Sequence, residues 1–96
     1  MRNISDLLPL GSIVTLDDSD QKLMIFGILQ SNGLEEGDQY DYIAVPYPMG
    51  NIGVGNQYLF YHDDIDEVIH IGYEDQEYTD FITNLEELYQ DPSQMY

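Results

Sequence analysis

An α+β fold, built as a small curled antiparallel sheet of about five strands with one C-terminal amphipathic helix, is predicted by three features of the chain. Short runs rich in β-branched and aromatic residues recur between clusters of Asp, Asn, Ser, Gly and Pro. After Gly72 the apolar spacing changes from a period of two to one of about 3.6. The 96 residues suffice for one domain with one modest core.

The elements follow in order. Gly11 to Leu16 reads as a strand, and Asp17-Asp18-Ser19-Asp20 as a hairpin connection into the next apolar run. That run, Leu23 to Leu29, is apolar on both alternating faces, which suits a central strand covered on two sides, with Gly27 marking a bend. A polar, glycine-bearing loop from Ser31 to Asp38 leads to a third strand, Tyr40 to Val45, stopped by Pro46 and Pro48. Met49 to Asn56, with three glycines, reads as a flexible loop before a short strand at Gln57 to Tyr61 and a tight turn at His62-Asp63-Asp64. Glu67 to Gly72 forms the fifth strand. Tyr78, Phe81, Ile82, Leu85, Leu88 and Tyr89 then lay one apolar stripe along a helix over 75–90, with Pro92 beyond its end. Residues 1–96 thus make a single domain: an N-terminal segment over 1–10, a sheet over 11–73 that resembles a small SH3-like barrel, and the helix.

Nineteen acidic residues stand against Arg2 and Lys22, a formal charge of -17. Such an excess keeps copies apart, steers basic partners toward the surface, and excludes nucleic acid and anionic membranes as partners. Nine tyrosines and a 43% hydrophobic share argue for a folded domain despite the charge. The absence of cysteine removes disulfide and thiolate chemistry and fits a cytoplasmic location. The N-terminus lacks the apolar run of a signal peptide, and no stretch reaches the length of a membrane span.

Catalytic and metal motifs are weak. His62-Asp63-Asp64 with Asp66 and Glu67 mixes ligand-type groups, but neither it nor Asp17 to Asp20 has the order of an EF-hand loop. Zinc would rely on His62 and His70 with no recognisable spacing, and His70 alternates with Val68, Ile69 and Ile71 as a strand histidine does. The serines sit in no nucleophile-elbow context, and Gly50 to Gly55 lacks both the GxGxxG order and a nearby lysine. No catalytic residue, metal or cofactor is therefore expected, and the chain reads as a non-enzyme. What remains is tyrosine interleaved with acid, at Tyr40-Asp41-Tyr42 and from Tyr58 to Asp64. Tyrosine serves interfaces as a rigid anchor with a polar tip, and equally fills half-buried positions in small β-rich domains. Tyr40, Tyr42, Tyr61, His62, Asp63 and Asp64 are the candidate interaction residues.

Five blocks in order carry a resemblance: Leu7 to Leu16, Lys22 to Gly27, Tyr40 to Gly50, Phe60 to Ile65 and Gly72 to Asp75. Together they resemble the small acidic domains of unknown function that Gram-positive bacteria encode beside LXG toxins and type VII secretion components. The family's more usual acidic residue between proline and glycine is Met49 in this chain. Tyr73 with Glu77 matches the tyrosine-to-acid spacing of secreted type VII substrates, but chance alone supplies such pairs in a chain this rich in both. The resemblance implies a protein-binding accessory, whether adaptor, chaperone-like or targeting factor, whose partner is an LXG toxin, a secretion component or another basic protein. An acidic immunity-like or nucleic-acid-mimicking inhibitor is the alternative, and a calcium-binding or hydrolytic protein the third reading.

Overall fold

A computed structural model of the chain describes residues 4–31 and 39–90. Of the loop expected from Ser31 to Asp38, Ser31 belongs to the second strand and the rest lies outside the described residues, as do Asp91 and Pro92. Five strands form one antiparallel sheet: β1 Ile13–Leu16, β2 Leu23–Ser31, β3 Gln39–Pro46, β4 Tyr58–Phe60 and β5 Ile65–His70. They lie in the order β4-β3-β2-β1-β5. The helix α1 spans Gln76–Gln90. This is the expected α+β architecture with the central strand in the expected place.

Connectivity dictates curvature. β4 and β5 occupy opposite edges of the sheet, yet only the four residues Tyr61 to Asp64 join them. A flat sheet would separate edge strands by about 19 Å, at about 4.8 Å per strand. The link reaches less than about 18 Å even when fully extended, and His62–Asp64 is wound into a 3-10 turn. The sheet therefore curls until its two edges converge at this corner, where Asp17 N–H donates to the Asp64 carbonyl at 3.0 Å. Among the described residues β4 and β5 do not pair, so the curl stops short of a closed barrel.

Register irregularities decide which side chains enter the core. In β2, Ile25 pairs with Ala44 and Gly27 with Ile43, leaving Phe26 as the extra residue of a bulge. A bulge of one residue reverses the alternation. Leu23 and Ile25 face the core before it, and Ile28 rejoins that face opposite Tyr42 after it. The apolar run on both faces of this strand thus reflects the bulge as well as its central position. β5 has two such shifts, so Ile65 pairs with Leu16 and Val68 with Val14, three residues apart on one face. The bulges and the acids Asp66 and Glu67 protect an exposed edge against pairing with other chains.

Val14, Leu23, Ile25, Tyr42, Ala44 and Phe60 form the buried face of the sheet. Two elements cover it. From α1 come Ile82 with the partly buried Tyr78 and Leu85, and from the N-terminal segment come Ile4, on a 3-10 turn at Ile4–Asp6, and Leu7. Asp75 starts the helix by accepting the Tyr78 amide on Oδ1 at 2.9 Å. Tyr78 Oη donates to the Leu7 carbonyl at 3.0 Å, joining the two covering elements. Burial, with a smaller contribution from the Glu74 charge, raises the Tyr78 pKa above its ordinary value.

The passage from β5 to α1 crosses the N-terminal segment in close contact. Gly72 N–H donates to Oγ of the fully buried Ser12 at 3.0 Å, and a Cβ on Gly72 would collide with the Leu10 carbonyl. Gly72→Ala is expected to lower stability by about 1–3 kcal/mol through overpacking. In urea unfolding the midpoint should fall with the slope unchanged, while Gly55→Ala, with open space around it, leaves it in place. An unmoved midpoint for Gly72→Ala would mean that the Leu10 backbone gives way freely.

Alkaline unfolding tests the Tyr78 contact. Its raised folded pKa favours the neutral phenol, so the stability it contributes is full below the unfolded value of 10.0 and is lost as pH rises through the higher folded one. Wild type should exceed Tyr78→Phe by about 1 kcal/mol below that range, with the gap narrowing above it. A gap that stays constant to higher pH would refute the assignment.

Candidate functional site

The corner where the sheet edges meet gathers the tyrosines and acids read from the sequence. Tyr40 and Tyr42 come from β3, whose pairing with β2 and β4 fixes their alternation. Tyr61 to Asp64 form the link. The link is held as a turn from within: Asp64 Oδ2 accepts the Tyr61 amide at 2.9 Å, and the Asp64 amide donates to the Tyr61 carbonyl at 2.9 Å. The expected tight turn is thus a 3-10 turn capped by an acid.

Three ring contacts organise the corner. Tyr40 and Tyr61 lie with centroids 5.0 Å apart and planes tilted by 33°, within the range of favourable aromatic pairs. Tyr61 is 47% exposed and Tyr40 half-buried, so one edge of the pair faces solvent. Asp63 and Asp64 are exposed beside it. Beneath, Tyr42 packs against Phe60 and His62, with centroids 5.4 and 5.9 Å away.

Tyr42 departs from its expected role as a contact residue. Its side chain is 0% exposed, so it cannot meet a partner. It works as a hub: Leu8 N–H donates to its Oη at 3.0 Å, and Oη lies 2.7 Å from His62 Nδ1. One hydroxyl therefore joins the N-terminal segment, β3 and the link.

Asp41 was missed. It is buried, and its Oδ2 accepts the His62 amide at 2.7 Å, fixing where the link leaves β4. The signal available in the sequence was an aspartate inside a β-forming run, a residue type that strands disfavour.

Chemically the corner offers an exposed aromatic surface framed by carboxylates. His62 spends Nδ1 on the buried Tyr42. Ser12 and Ser19 make hydrogen bonds elsewhere, to Gly72 and Gln21. Among the described residues no three His, Asp or Glu side chains converge as metal ligands would. Among them, too, no helix is long and apolar enough to cross a membrane.

The family model of a domain of unknown function, DUF4176, matches residues 7–81. The chain belongs to the DUF4176 family. The matched span runs from Leu7, which seals the core, through all five strands and into α1 as far as Phe81. No curated protein and no solved structure matches this DUF4176 domain.

Tyr42→Phe removes the hub hydroxyl and leaves the Leu8 amide without that acceptor. A loss of about 1–3 kcal/mol is expected, read as a melting temperature lower by several degrees. Tyr61→Phe, on the exposed partner of the pair, should shift stability by less than about 0.5 kcal/mol. Equal effects of the two would contradict the assignment of Tyr42 to the interior and Tyr61 to the surface.

Proposed function

We propose that this DUF4176 domain is a non-enzymatic protein-binding accessory, an adaptor, chaperone-like or targeting factor serving an LXG toxin or a type VII secretion component. The observation that carries this reading is the Tyr40–Tyr61 pair, with Tyr61 exposed, seated on a fixed turn and flanked by Asp63 and Asp64. A rigid aromatic anchor loses little conformational freedom on binding, and the surrounding carboxylates steer a basic surface toward it. His62 and Asp41 support the anchor from below by fixing the turn. The chain's charge of -17 favours a second reading, in which the carboxylates occupy a basic active site or nucleic-acid channel of a target protein.

Calorimetric titration with an LXG protein as the probe, at about 50 mM and about 500 mM salt, separates the two. As an adaptor anchored by tyrosine, the domain keeps most of its affinity at high salt, and Tyr61→Ala weakens binding by about tenfold or more. Affinity that collapses in salt and ignores Tyr61→Ala would replace the adaptor with the mimic. No binding at either salt would dismiss the LXG partner.

A further inference from the structure

An apolar groove of about 300 Å³ opens between the N-terminal segment, β2 and α1, at the small end of ligand sites. Leu8, Pro9, Leu10, Ile28, Tyr78 and Phe81 form its apolar lining. Leu10 is 54% exposed and Phe81 49%, so two large apolar side chains of one groove stand in water. Isolated exposed apolar residues are ordinary, but neighbours sharing a concavity mark a contact surface. The walls are already held in place. Tyr78 is tied to the Leu7 carbonyl, the Leu8 amide to Tyr42, and the backbone at Leu10 is packed under Gly72. Little ordering would accompany binding.

Charge selects the occupant. Glu77 lies in α1 four residues before Phe81, the spacing that makes neighbours on a helix surface, and Glu74 stands just ahead of the helix. Both acids are exposed, and the Glu74 charge is felt at the Tyr78 hydroxyl. No Lys or Arg follows Lys22 anywhere in the chain. We infer that this groove docks a segment of a partner protein that presents one large apolar side chain flanked by lysine or arginine. A second copy of this chain is a poor occupant, because it would bring a charge of -17 against a charge of -17. The inference rests on the reading of the domain as a protein-binding module, and adds a surface separate from the Tyr61 anchor together with the chemistry of what fits it.

Fluorescence anisotropy with the full-length protein tests it, using labelled peptides that carry a central Leu or Phe between pairs of lysines. Controls place Ala at the centre, or Glu for each Lys. The apolar, basic peptide should bind at least about tenfold more tightly than either control. Phe81→Gln and Leu10→Gln, both at exposed positions and neutral in charge, should each weaken it by about fivefold or more, whereas Tyr61→Ala leaves it unchanged. Equal binding of the Ala-centred peptide would overturn the inference in favour of bare charge attraction. Equal binding of the Glu peptide would overturn the charge selection. Self-association in sedimentation that Phe81→Gln abolishes would assign the groove to a second copy instead. The same variants titrated with the LXG protein separate the two surfaces. Affinity lost only in Tyr61→Ala would defeat the groove and leave the adaptor standing, and peptide binding as expected without any LXG binding would do the reverse.

Discussion

The link from Tyr61 to Asp64 sets the shape of everything around it, because four residues have to carry the chain from one edge of a five-stranded sheet to the other. A longer connection could pass over an open, gently twisted sheet. This one forces the edges together, and the curl that results encloses Tyr42, Phe60 and Val14 on its concave side. Bulges in β2 and β5 increase the local twist and correct the alternation as the strands bend. Three contacts then fix the link itself: Asp64 on the Tyr61 amide, Asp41 on the His62 amide and Tyr42 on the His62 ring.

A chain with charge -17 must place its repulsion where water screens it and keep its interior neutral. The distribution follows that demand. Asp17, Asp18, Asp20, Asp63, Asp64, Asp66 and Glu67 lie exposed in turns and along the edge strand, and Glu77, Asp80 and Glu87 lie exposed on α1. Asp41 is the exception, and the His62 amide compensates it. Polar work inside the fold passes instead to hydroxyls. Tyr42, Tyr78 and Ser12 each bond to backbone of a distant segment, so the N-terminal segment is tied to β3 and to α1, and Ser12, just before β1, to Gly72 beyond β5. These neutral contacts hold the layers together without adding charge.

Alternation and turn chemistry made most of the fold legible. The hairpin from β1 to β2, the stop of β3 at Pro46, the strand at Tyr58 and the helix α1 with its acidic start lie where those local signals place them, while of the apolar stripe Tyr78, Ile82 and Leu85 pack inward and Phe81 and Leu88 stand exposed. Three features were beyond local signals. The 3-10 turn at Ile4–Asp6 is too short to show a period, although Ile4 and Leu7 supply core. The bulge at Phe26 imitates a strand apolar on both faces, since a parity reversal and two-sided burial leave the same pattern. The degree of closure depends on whether β4 and β5 pair, and no residue pattern reports on an unmade contact. At the candidate site the sequence selected the corner but not the division of labour within it. Tyr40 and Tyr42 share a strand face and a residue type, and only the position of the link buries one beneath His62 while leaving the other against Tyr61.

That division bears on both proposed contact surfaces. The Tyr42 hydroxyl meets Leu8, which lines the groove, and His62, which follows Tyr61 in the link. Each surface therefore stands on the same buried side chain. A shared support of this kind makes both surfaces rigid before any partner arrives, and rigidity is what converts a small aromatic or apolar contact into useful affinity, because little conformational entropy is lost on binding. It does not by itself couple the two sites. Coupling requires a second arrangement that the partners stabilise unequally, whereas a hub with its hydroxyl satisfied on both sides and 0% exposure favours a single one. A DUF4176 domain built this way presents two fixed surfaces to one acidic field, and a partner that engages both gains from their proximity rather than from a change of shape.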